Sequence, residues 1–339
     1  MRPTNLTLMM LTVTALAACS DDTVKPDARR DLRGPDSVAI ADRPAPGPDG
    51  APRPERLLGK DRSATDTVLQ PTWSIAPTPA TILSFNSVWA GAADDVWVVG
   101  YAGLLYHYNG TVWKAESQTT KDLSHVWGTS AHDVWMSGAD GLLLHYNGTS
   151  WTTTTQGTGT LYGIWGTSAS DVWVVGEAGK VLHFNGTSWS STTVNVGTSI
   201  LFDVWASSKT DVWAVGQTGA LAHYDGSSWT VKTSLAETLN GVWGSAANDV
   251  WAVGGSGKVY HYDGQSWTPK SVTSGSIWTV WGIGKDVWIG CDNGAIFRYV
   301  NGAWVQSSSN TSSSIYGMWG LSSINIWAVG TQGVVLHYQ

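Results

Sequence analysis

An aspartate followed twelve residues later by a histidine recurs along this 339-residue chain: Asp95 and His107, Asp133 and His145, Asp171 and His183, Asp211 and His223, Asp249 and His261. Two further copies keep a substituted pair, Asp286 with Arg298 and Asn325 with His337. Histidine and carboxylate together serve proton transfer, and both are common metal ligands. A second arrangement that could do chemistry is Asp140 with Glu177, two carboxylates of the kind that flank a glycosidic bond. The sequence contains no nucleotide-binding loop, no GxSxG nucleophile motif and no HExxH zinc motif. Catalysis is therefore not expected, and neither is a cofactor or a metal.

The elements that carry these residues follow from a repeat. The chain has 22 tryptophans. One set recurs as Trp89, Trp127, Trp165, Trp205, Trp243, Trp281 and Trp319, and a second as Trp97, Trp135, Trp173, Trp213, Trp251, Trp288 and Trp327, in steps of 37 to 40 residues. A third set, in "NGTSW" or "DGSSW", is Trp113, Trp151, Trp189, Trp229, Trp267 and Trp304; its seventh member is Trp73, far upstream. Only Trp278 falls outside the pattern. Each unit reads as four short strands, a to d: "LYGIWGTS", "DVWVVG", "KVLHFNG" and "TSWSSTTV" in the third copy, separated by glycine turns. Seven such units predict an all-β, seven-bladed β-propeller of four-stranded antiparallel blades, with an N-terminal strand around Trp73 completing the last blade. The periodic tryptophans are expected to fill the wedges between blades.

This architecture weighs against the chemical readings. Strand c lies two strands outside the innermost one, ~10 Å further from the axis at ~4.8 Å per strand, so seven histidines there diverge and cannot share a metal. Arg298 opposite Asp286 keeps a cation, and His337 opposite Asn325 keeps hydrogen bonding, as structural pairs within blades would. The pairs Asp171 and His183, Asp211 and His223, and Asp249 and His261 are read the same way. Cys291, at a position that is glycine in the other six repeats, reads as a small residue at a turn.

Comparing the seven copies shows which positions the fold leaves free. The a-to-b and c-to-d turns are nearly constant, whereas the b-to-c and d-to-a connections, which share the opposite face, vary. The variable b-to-c pairs are Tyr101-Ala102, Ala139-Asp140, Glu177-Ala178, Gln217-Thr218, Gly255-Ser256, Asp292-Asn293 and Thr331-Gln332. Three residues before each strand-a tryptophan stand Asn86, Ser124, Tyr162, Phe202, Asn240, Trp278 and Tyr316. Four of these are aromatic, so the fold does not require the ring. Aromatic faces beside carboxylates and amides suit a saccharide, and Trp278, Tyr162, Phe202, Tyr316, Tyr101, Asp140, Glu177, Gln217, Asp292, Asn293 and Gln332 are the candidate ligand-binding residues. The alternative is that the aromatics cap the core at the channel mouth.

The N-terminal part is different. "MRPTNLTLMMLTVTALAAC" combines a basic Arg2 with an apolar run too short to span a bilayer, the pattern of a signal peptide over residues 1–18. Residues 20–70 hold 19 charged side chains and seven prolines, which marks 19–67 as a linker ahead of the propeller at 68–339. The overall charge of −7 makes nucleic acid an unfavourable partner.

Two resemblances extend this reading. Leu16-Ala17-Ala18-Cys19 resembles the lipobox of bacterial lipoproteins, which implies a lipidated Cys19 at the mature N-terminus. Ser20 in place of aspartate then favours the outer membrane or cell surface over the inner membrane. The repeats resemble bacterial exported propellers with the pattern "VWG-S---DVWAVG--G-ILHYNG-SW" and, distantly, Asp-box and tectonin-like propellers that include seven-bladed lectins. "HYDGSSW" around Asp225 departs from the Asp-box, lacking its leading serine and one residue before the tryptophan. The resemblance implies the propeller fold and a lipid-anchored location in the bacterial envelope; with the variable face, the chain is read as a monomeric, non-catalytic recognition module. Its leading expected ligand is a glycan, bound at sites repeated between blades; the alternative is an envelope protein bound by one broad patch.

Overall fold

The computed structural model describes residues 70–78, 81–197, 199–235 and 237–339. The signal peptide, Cys19 and the linker expected from the sequence lie outside them. Among the described residues, seven four-stranded antiparallel sheets form the blades of a propeller. In blade 3, for example, strands a to d are Leu161–Ser168, Asp171–Gly176, Lys180–Phe184 and Trp189–Thr193. The seventh sheet takes strands a to c from Ile315–Ser322, Asn325–Gly330 and Val335–Tyr338, and its fourth strand from Trp73–Ile75. Trp73 pairs with Tyr338, and Ile75 with Leu336. The N-terminal strand thus closes the ring and covers the edge that the C-terminal strand would expose.

Aromatic packing explains the upstream tryptophan. In six blades the strand-b tryptophan stacks on its own strand-c histidine, and in all seven it meets a tyrosine or phenylalanine and a tryptophan of the next blade. Trp173 lies 3.8 Å from the His183 ring and edge-on to Trp229 at 5.9 Å. In blade 6 the place of the histidine is taken by Arg298 over the Trp288 ring at 5.2 Å, and the edge-on partner at 5.8 Å is Trp73. Trp73 is 2% exposed.

The Asp and His rows meet inside blades. His Nε2 lies 2.6 to 2.8 Å from Asp Oδ1 in the five Asp-His blades. Arg298 donates to Asp286 at 2.7 Å, and His337 lies 2.9 Å from Asn325 Oδ1. Burial alone would raise the carboxyls of Asp133, Asp171 and Asp211, but bonds from His145, His183 and His223 and from Thr129, Thr167 and Ser207 hold them below the ordinary value. Cys291 is buried, and burial pushes its thiol up to about 12, away from reactivity. No group of three or more His, Cys, Asp or Glu among the described residues is placed to hold a metal.

The strand-a tryptophans depart from expectation at two positions. In five blades the ring lies against the glycine that follows the next blade's tryptophan: a Cβ at Gly128, Gly166, Gly244, Gly282 or Gly320 would come within 3.0 Å of Trp89, Trp127, Trp205, Trp243 or Trp281. Blades 1 and 4 have Ala90 and Ala206 there instead. The tryptophans that face them, Trp319 and Trp165, do not enter the slot. Their Nε1 groups donate to the carbonyls of Ala90 at 3.0 Å and Ala206 at 3.2 Å, and their rings lie 5.7 Å apart. Blades 3 and 7 are not neighbours, so the two rings meet across the central channel. One methyl group in each slot turns a wedge residue into a channel plug.

Candidate functional site

Seven b-to-c turns ring the variable face. In each, the middle residue, Ala102, Asp140, Ala178, Thr218, Ser256, Asn293 or Gln332, has φ between 53° and 58°, followed by a glycine that is also at positive φ. Two successive positive φ values are the type I′ hairpin turn that fits the twist of its strands. The turn geometry holds whichever residue stands there, which is why the sequence varies.

All seven positions three residues before the strand-a tryptophans line one cavity of about 490 Å³ at the channel mouth: Asn86, Ser124, Tyr162, Phe202, Asn240, Trp278 and Tyr316. Strand a is the innermost strand of every blade, so equivalent positions converge on the axis. Tyr162 and Phe202, on blades 3 and 4, pack edge to face at 5.4 Å. Trp278 and Tyr316, on blades 6 and 7, do the same at 5.2 Å. The polar positions, Asn240 on blade 5 and Asn86 and Ser124 on blades 1 and 2, separate these pairs. The result is a slot with two aromatic walls and polar ends, and Trp165 and Trp319 fill the channel about 10 Å below, three residues further along the strands. Both asparagines brace their neighbours: Asn86 Nδ2 donates to Leu123 O and Asn240 Nδ2 to Ile277 O, each at 2.8 Å.

The remaining sequence candidates divide. Tyr101, 45% exposed, reaches the cavity rim. Asp292 supports a wall from behind, accepting from Trp278 Nε1 at 2.7 Å and from Ser276 N at 2.9 Å. Asp140 does not line the cavity; it is exposed and forms an ion pair with Lys121 at 3.2 Å. Glu177, Gln217, Asn293 and Gln332 also lie outside it, and Gln332 accepts from Ser313 at 3.4 Å. The convergent positions lie on strand a itself, and the b-to-c turns form an outer ring from which only Tyr101 and Ala139 reach the cavity.

Three lining residues carry chemistry that sequence reasoning missed: Asp122, His125 and Asp203. Two of them stand two residues before a strand-a tryptophan, where the seven copies read Ser87, His125, Gly163, Asp203, Gly241, Thr279 and Gly317. An imidazole and a carboxylate at a position that three repeats fill with glycine were the available signal. Burial pushes His125 down to about 4, so it is neutral at physiological pH, and its Nδ1 is buried without a partner. Burial pushes Asp203 up to about 7, opposed by bonds from Val242 N and Val204 N, both at 2.9 Å.

A larger cleft of about 670 Å³ lies between the last and first blades, lined in part by Trp113, Trp327 and His337. A similar one of about 460 Å³, lined in part by Trp173, His183 and Trp229, lies between blades 3 and 4. These tryptophans and histidines occupy periodic positions, so such clefts follow from blade geometry.

No protein-family model matches the chain, and neither does any curated protein sequence. Solved structures with the same fold are numerous. YCF48 from Cyanidioschyzon merolae superposes with a TM-score of 0.64 at 16% identity, over 79% of this chain and 98% of that one. A YCF48 bound to D1 peptide gives 0.66 at 17%, over 78% and 96%. A catalytically inactive virginiamycin B lyase from Staphylococcus aureus with quinupristin gives 0.71 at 13%, over 80% and 99%. At such identities the chain shares with these proteins the β-propeller fold.

Proposed function

We propose that this protein is a non-catalytic recognition module that binds a segment of a partner polypeptide across the channel mouth of its variable face. The observation that carries the reading is convergence: the seven variable positions three residues before the strand-a tryptophans line one axial slot. That arrangement supports one partner engaged by one broad patch over many equivalent small-ligand sites. Paired aromatic walls with polar ends fit an extended chain crossing the axis, its side chains between the rings and its backbone over the polar gaps. The YCF48 structure with a bound peptide is a precedent on the same fold at 17% identity. We further propose that Cys19 anchors the propeller to the bacterial envelope through residues 19–67, with the partner in the envelope or at the cell surface.

The test is selection of displayed random peptides on the full-length protein, with a glycan array probed in parallel. Enriched peptides whose binding falls at least tenfold in Trp278→Ala and Tyr162→Ala support the reading. Glycan binding that weakens in the same variants, with no peptide enriched, overturns it in favour of a lectin.

A further inference from the structure

The bottom of the slot has a chemistry of its own. The ionisable residues that line it are the acids Asp122 and Asp203, the tyrosines Tyr101, Tyr162 and Tyr316, and His125; no lysine or arginine is among them. Asp122 is engaged at the rim, where Oδ1 accepts from Ala102 N at 2.7 Å. Asp203 lies deeper, where Gly163 leaves it room: a Cβ at Gly163 would lie 3.0 Å from Asp203 Oδ1.

Comparison between blades shows that the propeller does not need a carboxylate there. Asp203 caps backbone N–H groups on the channel edge of strand a, taking Val242 N of the next blade. In blade 1 the hydroxyl of Ser87 does the same for Val126 N at 3.3 Å. Glycine suffices in three blades. A serine would make this cap without a charge, and burying a charge is costly unless it is paired. The raised carboxyl of Asp203 reports that cost. A cation entering the slot would relieve it.

The surroundings suit such a cation. The walls are Tyr162, Phe202, Trp278 and Tyr316, and aromatic faces attract a cation through the ring quadrupole, most strongly in a partly desolvated site. His125 is neutral and does not compete for Asp203.

We infer that the slot receives the cationic end of a lysine or arginine side chain projecting from the bound segment, with Asp203 as its counter-ion and the four aromatic rings around it. This rests on the polypeptide-binding reading above and names the residue class that the polypeptide presents.

The experiment is a titration of the full-length protein with N-acetyl-arginine amide, N-acetyl-lysine amide and the uncharged N-acetyl-citrulline amide, followed by the NMR shift of the Trp278 indole N–H. Both cations are expected to shift it saturably, and citrulline to leave it unmoved at a tenfold higher concentration. Asp203→Ser, built on the cap that Ser87 already makes, should keep the fold and weaken cation binding at least tenfold; Asp203→Asn serves if the serine variant melts early. Selected peptides should contain a basic residue and lose affinity in the same variants. Peptides that bind without a basic residue and ignore Asp203→Ser would overturn this inference while leaving the polypeptide reading intact. Failure of every peptide would remove both.

Discussion

Replacing Trp73 with alanine removes the aromatic residue that the N-terminal strand supplies to the closing blade. The side chain is 2% exposed and packs against Trp288 at 5.8 Å and Tyr338 at 5.2 Å. A tryptophan buries roughly 150–250 Å², worth about 4–6 kcal/mol at ~25 cal/mol/Å². Measured costs of truncating a buried aromatic side chain to alanine run at about 3–5 kcal/mol. In a domain of this size each kcal/mol lowers the melting temperature by roughly 2–3 °C, so Trp73→Ala should lower it by roughly 6–15 °C. Ile75, two residues on, is 61% exposed, and Ile75→Ala should change stability by no more than about 0.5 kcal/mol. Thermal melting by circular dichroism compares the two variants. A Trp73→Ala protein that melts within ~2 °C of wild type would refute closure by the N-terminal strand, because the ring would then be held without it.

Other consequences can be measured on the same preparations. His183→Ala leaves Asp171 buried without its main partner and should cost about 1–3 kcal/mol in chemical denaturation; no change within error would remove the structural role of the Asp-His rows. Because the carboxyls of Asp133, Asp171 and Asp211 are held low, their contribution is present above the unfolded carboxylate pKa near 3.8 and is lost as pH falls through the folded values, so stability should decline on the acid side of pH 4. Asp203 has the opposite sign. With its carboxyl raised from 3.8 to about 7, the folded protein holds the proton more tightly, and stability falls as pH rises between those values, by at most about 4 kcal/mol at ~1.4 kcal/mol per pKa unit. Asp203→Ser should abolish that decline, and an unchanged profile would show that the group is not buried as described. Gly166→Ala puts a Cβ 2.4 Å from the Trp127 ring and should cost about 1–3 kcal/mol, whereas Ala206→Gly should be tolerated; equal effects would contradict the glycine-slot account of the channel plug.

The fold was legible because it is written seven times. Tryptophan phase, strand alternation and the displaced Trp73 each pointed to a closed propeller, and the pairs that join Asp171 to His183 and Asp286 to Arg298 follow from register once the strands are placed. The site was legible only in outline. Positions three residues before each strand-a tryptophan could be picked out as variable, but their convergence depends on strand a being innermost, and the separation of Asp140 and Glu177 from them depends on turn geometry. Asp203 and His125 were missed because a single polar residue in one repeat reads as ordinary variation. Only the cavity shows that both face the same small volume. The plug formed by Trp165 and Trp319 was visible in principle at Ala90 and Ala206, yet the effect of one methyl group is a packing event that no periodicity reveals.

The central claim is that the variable strand-a positions form one binding site on the propeller axis. Equilibrium titration calorimetry of a selected peptide into the full-length protein tests it directly. The account predicts a stoichiometry of one peptide per chain, with binding abolished in the double variant Trp278→Ala, Tyr162→Ala. Several equivalent sites per chain, or full binding by the double variant, would contradict it and move recognition to the clefts between blades.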